Sequence, residues 1–297
     1  MTDRVGQAAL VRALRMAVIR GTLRPDVRDR AKGMMAALLQ PASVALIGPS
    51  GVGKTGIANL LLDAPLVPDG RDLGVVRVIH GTPGRATLTR PDGTRVQVGD
   101  VGALLDALRD GPPAMTQLES DLPALRRITL LEATIPAEAT AAGRAVAWVA
   151  GQADLIVWCT AAFAPSERTA WSRAPEGVKD RAVLLGTRAD RPDAWSLDRL
   201  ADAAGEEFAV VQTVSAHDAR AARRRDGLDR DAFRAAGATA LITRIMSDLN
   251  ARDGALRAQV EVFLRREGVP IHPVAEDEVL TLTDPQVPAA ERPPGAG

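Results

Sequence analysis

The chain has 297 residues, 46% of them apolar, enough to bury a sizeable core. Its 37 acidic and 37 basic side chains cancel, so bulk charge predicts no nucleic-acid partner, and four Trp, four Phe and no Tyr argue against a platform that stacks single-stranded bases. One cysteine, Cys159, excludes an intrachain disulfide and a cysteine-held metal cluster, and His80, His217 and His272 are too scattered to suggest a metal motif.

Residues 4–39 read as two helices. Leu10, Leu14, Ala17 and Val18 form one apolar stripe, and Met34, Met35, Leu38 and Leu39 form another. Gly21 and Pro25 break the pattern between them. Residues 1–40 carry eight basic side chains against Asp3, Asp26 and Asp29, a net of +5. Such a segment either lies peripherally on an anionic membrane or packs against the next domain with its basic face in water. The stripes lack aromatic anchors, which favours the second reading.

Val44 to Ile47 reads as a buried strand, and Gly48-Pro49-Ser50-Gly51-Val52-Gly53-Lys54-Thr55 then fits G-x-x-x-x-G-K-[ST], the phosphate-binding loop. A helix follows from Gly56 to Asp63. Glycines let backbone N–H groups wrap phosphate oxygens, and the helix N-terminus adds partial positive charge at the same point. Lys54 is expected to reach the β- and γ-phosphates and Thr55 to hold Mg²⁺. Only three of the 37 basic residues are lysine (Lys32, Lys54 and Lys179), so a compact ammonium in this slot stands out. The loop does not name the nucleotide, since ATPases, nucleotide kinases and GTPases all use it.

Ala64 to Leu73 reads as a loop and Val75 to Ile79 as a strand. Arg85 to Arg90 and Thr94 to Val98 form a hairpin around Pro91-Asp92-Gly93, and Asp100 caps a helix over Val101 to Arg109. Gln117 to Leu122 and Ile128 to Leu131 read as a strand pair turning near Pro123. Beyond them, strands at Asp154–Cys159, Arg181–Gly186 and Phe208–Val214 alternate with helices at Gly143–Gln152, Glu167–Arg173 and Asp198–Ala203. That alternation predicts an α/β fold with a doubly wound, mostly parallel sheet whose ligands sit at the C-terminal strand ends. Residues 219–230 mix Arg and Asp and read as a solvated loop. Ala232 to Asn250 is a helix, continuing over 251–267 after a kink near Gly254. Residues 268–297 contain six prolines and read as a disordered tail, with an acidic docking peptide over 275–284 as the alternative. The expected domains are therefore 1–40, 41–250, the helix 251–267 and the tail. No signal peptide or bilayer-spanning run is read, so a cytoplasmic location is expected.

Four signals carry a resemblance. Thr187-Arg188-Ala189-Asp190 resembles the [NT]-K-x-D guanine-reading motif of GTPases, whose Thr form is typical of the dynamin family. Ser215-Ala216-His217 resembles the Ser-Ala-Lys motif at the guanine O6 edge. The segment 117–136 and the hairpin 86–98 are similar to elements of bacterial dynamin-like GTPases. The likeness covers about residues 43–250. It implies GTP or GDP and Mg²⁺ as ligands, Asp190 selecting guanine, Arg188 packing its stem over the base, and Glu132 beside the metal with Thr55. It also implies a homo- or hetero-dimer through the nucleotide face.

The departures lie in the hydrolytic parts. Where the resemblance expects Asp-x-x-Gly the chain has Glu132-Ala133-Thr134-Ile135, residues 64–79 hold no threonine, and the phosphate loop holds no glutamine. Three functions follow as expectations: a slow dynamin-like GTPase, a non-catalytic interaction protein on a GTPase scaffold, or a phosphate-loop ATPase. The chain also ends before the long helical stalk and membrane paddle of full dynamins.

Overall fold

The computed structural model describes residues 2–21, 23–191, 194–224 and 227–274. The predicted docking peptide and most of the predicted tail lie outside these residues. The chain forms two compact units, one built on residues up to Gln40 and from Asn250 onward, the other on Pro41–Leu249.

In the first unit, α1 (Thr2–Ile19) and α2 (Pro25–Leu39) form as expected. The turn between them carries Gly21 at φ +68°, and Pro25 opens α2 where no N–H is needed. Leu10, Leu14 and Ala17 of α1 bury with Ala31 and Leu38 of α2 and with Val260, Phe263 and Leu264 near the chain's far end. Periodicity marks which face is apolar but not what covers it.

The second unit holds a nine-stranded sheet. In chain order its elements are β1 (Ala42–Gly48), α3 (Lys54–Leu62), β2 (Val75–His80), β3 (Ala86–Thr89), β4 (Arg95–Val98), α4 (Val101–Ala107), β5 (Met115–Ser120), β6 (Ile128–Thr134), α5 (Ala139–Ala150), β7 (Leu155–Thr160), α6 (Pro165–Trp171), α7 (Glu176–Lys179), β8 (Ala182–Thr187), α8 (Leu197–Ala204) and β9 (Val210–Val214). The strand order is β4-β3-β5-β2-β6-β1-β7-β8-β9. The run β6-β1-β7-β8-β9 is parallel throughout, β2 and β5 are parallel to each other, and β2 meets β6 antiparallel. The expected α/β architecture is thus present. Strands β7 and β8 are buried at every position, as parallel strands covered on both faces must be.

Alternation along the central strands builds two cores. Val44, Leu46, Val157 and Cys159 face one layer, with α3; Ala45, Ile47, Ile156 and Trp158 face the other, with α5, α6 and α8. In the second layer Trp171 stacks on Phe208 with ring centroids 4.5 Å apart, and Trp158 meets Trp171 edge-on at 5.4 Å. Burying each such side chain contributes roughly 2 kcal/mol. Exposed ion pairs contribute on the order of 0.5 kcal/mol, so the two faces hold the sheet rather than its surface charges.

Four expectations are corrected. β5 and β6 are not paired, because β2 inserts between them and the chain crosses through a short 3₁₀ turn at Pro123–Arg126. Residues 219–230 are not one solvated loop. They hold the end of α9 (Ala216–Ala221), a small hairpin of β10 (Arg223–Arg224) and β11 (Gly227–Leu228), and the start of α10 (Arg230–Ala235). The helix expected over Ala232–Asn250 is broken at Gly237, which separates α10 from α11 (Ala238–Arg266). No break occurs at Gly254, inside α11, where an added Cβ would meet only open space.

Gly237 has φ +79°, and a Cβ there would lie 2.2 Å from the carbonyl oxygen of Thr213 at the end of β9. Left-handed strain and a clash with backbone act together, so Gly237→Ala should destabilise the protein by about 3 kcal/mol. The shift in urea midpoint relative to Gly254→Ala, which should be neutral or stabilising, measures it.

Candidate phosphate and base site

The C-terminal ends of β1, β6, β7, β8 and β9 share one edge of the sheet. The phosphate loop leaves that edge at Gly48. A Cβ on Gly48 would stand 2.0 Å from the Cys159 carbonyl oxygen, so only glycine lets β1 run this close to the end of β7. Gly51 (φ +74°) and Gly53 (φ +97°) supply the left-handed turns that lead into α3, and a Cβ on Gly51 would enter open space. Pro49 is half-buried, Ser50 is exposed and Val52 is buried. The loop is therefore a cradle opening at a helix N-terminus, the arrangement that binds phosphate through backbone N–H groups.

Lys54 is 4% exposed, and its Nζ donates to the carbonyl oxygens of Gly48 (3.2 Å) and Pro49 (2.7 Å). Burial pulls its pKa below the usual lysine range, and the Glu132 charge opposes that shift. Thr55 Oγ1 donates to Glu132 Oε1 at 2.7 Å. Glu132 sits on β6 opposite Leu46 of β1 and Val76 of β2, and burial raises its pKa. Its second oxygen, Oε2, is buried without a hydrogen-bond partner. A buried orphan acceptor beside the Thr55 hydroxyl and the Lys54 ammonium fits a divalent cation held by one hydroxyl and one carboxylate, with phosphate and water completing the set. The two residues expected at the metal are thus brought together.

The residues expected to read the base lie at the ends of β8 and β9. Thr187 ends β8, and its hydroxyl donates to the Val52 carbonyl of the phosphate loop and to the Thr160 carbonyl at 3.1 Å. Arg188 takes a left-handed backbone (φ +57°), and its side chain lies over Gly53. The Ser215 hydroxyl donates to Asp190 Oδ1 at 2.8 Å and accepts from the Asp218 N–H at 3.0 Å. That Ser215 bond is the main reason the exposed Asp190 carboxyl lies below its ordinary range. Ala216 begins α9 against Gly56, whose missing side chain admits it: an added Cβ would stand 3.4 Å from the Ala216 Cβ. His217 is exposed and pairs with Asp218 rather than with the loop.

Two supports were not read from the sequence. Asn59, buried in α3, donates to the Val67 carbonyl and accepts from the Val67 N–H, both at 2.9 Å, and so clamps the loop between α3 and β2. Its signal was a polar residue inside an apolar helix. Glu167 accepts from Trp158 Nε1 (2.8 Å), Thr160 Oγ1 (3.0 Å) and the Ala164 N–H (3.2 Å), fixing the end of β7 that Thr187 leans on. The departure at Ile135 is also physical. Its N–H donates to the Gly48 carbonyl at 2.9 Å and its side chain is buried in the second core layer, so this amide is already engaged.

No protein-family model matches the sequence, and no curated protein matches it. Solved structures do. One, of an oligomerised bacterial dynamin pair described as providing a mechanism for long-range sensing and tethering of membranes, aligns with a TM-score of 0.60 over 90% of this chain, at 10% identity. A second structure of such a pair aligns with a TM-score of 0.53 over 81% of this chain, at 12% identity. The protein therefore has the fold of a phosphate-loop NTPase, and within that class the fold of a dynamin-like GTPase domain. The matches span 56% and 39% of the length of those structures.

Burial pushes the thiol of Cys159, whose carbonyl oxygen packs against Gly48, up to about 12. At about pH 8 fewer than one thiol in a thousand is then ionised. Maleimide should leave the native protein unlabelled at that pH and modify it stoichiometrically in urea, as read by mass spectrometry.

Proposed function

We propose that this chain is a guanine-nucleotide-binding protein of dynamin-like type that holds GTP or GDP with Mg²⁺ and hydrolyses GTP slowly. The observation that carries this reading is the Asp190 carboxylate, which follows β8 and accepts a hydrogen bond from the Ser215 hydroxyl at 2.8 Å that holds its carboxyl below the ordinary range. An ionised carboxylate only accepts hydrogen bonds. Guanine offers it two donors, N1–H and the 2-amino group, whereas adenine presents a lone pair at N1 and no amino group at C2.

The roles follow from position. Backbone N–H groups from Gly51 to Thr55 cradle the phosphates. Lys54 exchanges its two carbonyl partners for phosphate oxygens and neutralises charge that develops during transfer. Thr55 and Glu132 would hold Mg²⁺, which when bound supplies further neutralisation of the phosphates. The aliphatic stem of Arg188 covers one face of the base, and the Ser215-Ala216-His217 turn meets its O6 edge. The loop holds no glutamine to orient an attacking water, and slow hydrolysis is proposed on that ground.

The likeness to an oligomerised dynamin pair supports pairing as a homo- or hetero-dimer, for which the nucleotide face is the proposed surface. Peripheral membrane contact by residues 1–40 would have to use their basic face, because Leu10, Leu14 and Ala17 are already buried. No described helix is long and apolar enough to cross a membrane, and a cytoplasmic or membrane-peripheral location is proposed.

Competition against a labelled guanine nucleotide tests base choice. GTP should displace it at least about tenfold better than ATP, roughly 1.4 kcal/mol. Asp190→Asn should erode that preference and favour XTP, whose C2 oxygen accepts from the new amide, while Lys54→Ala should abolish binding. Equal competition by ATP and GTP against wild type would move the ATPase reading to first place.

A second reading, a non-catalytic GTPase-like interaction protein, is favoured by Ile135. An amide spent on Gly48 and a side chain locked in the core cannot follow the third phosphate. Single-turnover hydrolysis with protein in excess separates the two. Phosphate release above the buffer rate removes the non-catalytic reading; none above that rate removes the slow GTPase.

A further inference from the structure

An open cleft of about 640 Å³ lies in the first unit, between the start of α2 and the far end of α11. Val27, Val262 and Phe263 line it with apolar surface, and Arg24, Arg30 and Arg266 line it with positive charge. Val262 is 61% exposed, although it neighbours the buried Phe263. Two carboxylates also border the cleft. Asp26 is paired with Arg24 at 3.4 Å, and Glu267 follows the end of α11. Arg30 lies over the Phe263 ring, 5.8 Å from its centroid, and neither Arg30 nor Arg266 has a carboxylate partner among the described residues. A guanidinium stacked on a ring keeps its N–H edge free for an acceptor. An occupant that suits both kinds of surface is acidic and aliphatic at once.

The chain carries such a stretch. Residues 275–284 hold four carboxylates (Glu276, Asp277, Glu278 and Asp284), no basic residue, and Val279, Leu280 and Leu282 among them. They lie outside the described residues, but the point from which they start is fixed. Val274 is buried beside Ala8 and Ala9 of α1, and Arg12 donates to the Pro273 carbonyl at 2.7 Å. At the same level of α1, Gln7 Nε2 donates to the Leu38 carbonyl of α2. From Leu38 back to Val27 at the cleft, α2 covers eleven residues, or about 17 Å. Ten residues of extended chain span up to about 33 Å, so the segment reaches the cleft of its own chain.

We infer that residues 275–284 dock in the cleft between α2 and α11, with carboxylates on Arg30 and Arg266 and aliphatic side chains on Val262. Docked there, the segment covers part of the basic face of residues 1–40 and withholds those arginines from other anions. The inference stands apart from the nucleotide site.

The test traps the contact in the full chain. Val262→Cys with Leu282→Cys, and Val262→Cys with Leu280→Cys as a second register, are oxidised by glutathione disulfide and read on non-reducing gels and by mass spectrometry. Cys159 is buried and takes no part. At least one pair should bridge within a single chain about tenfold faster than the same pair carrying Arg30→Glu and Arg266→Glu, because docking raises the effective concentration of the two thiols. Adding Glu276→Arg and Asp284→Arg to that slowed variant should restore the rate. Equal rates with and without the two arginines would overturn the docking, and so would bridges that form only between chains. A slowed rate that the reversed acidic residues leave unrestored would overturn the charge pairing on which the assignment rests.

Discussion

An ammonium taken out of water must be given oxygens, and the geometry of the site follows from how Lys54 obtains them. Two of its three donors go to the carbonyls of Gly48 and Pro49, which requires the loop to fold back over the lysine. That fold requires left-handed turns at Gly51 and Gly53. The loop must also leave β1 where its backbone passes the Cys159 carbonyl with no room for a side chain. Glu132 lies behind the same ammonium, partly offsetting its burial, and Thr55 ties that carboxylate to α3. The cradle is thus held in shape by the same charge that the proposed function turns toward a phosphate.

Much of this was legible in the sequence, for physical reasons. The glycine spacing before Lys54 encodes a backbone path that few other sequences allow. The apolar runs at 44–47, 154–159 and 181–186 encode burial on both faces, hence a parallel sheet with its ligands at one edge. Asp190 and Ser215 were placed at strand ends by the same argument, and the structure joins them by a hydrogen bond.

What could not be read was lateral order and long-range partnership. The apolar pattern of β5 and β6 is the same whether they touch or admit β2 between them. The break at Gly237 rather than Gly254 depends on a carbonyl of another strand, not on the helix's own residues. Asn59 and Glu167 act through partners eight and nine residues away or less, yet their directions are set by the tertiary fold. Ile135 shows the reverse case. A glycine missing from a motif was plain in the sequence, but that its amide is taken by Gly48 needed the strand register.

The Asn59–Val67 clamp has a further consequence, in chain entropy. Without it the segment from the end of α3 to the start of β2 would be one long closure, and ordering it around a ligand would draw on the freedom of every residue in it. With it, the first part is already fixed by two hydrogen bonds to a helix and the last part by Leu73 and Gly74. Only the short arc at 68–71 is left to lose freedom when a ligand arrives. Preorganisation of this kind lowers the entropic cost of recognition without adding a contact to the ligand itself.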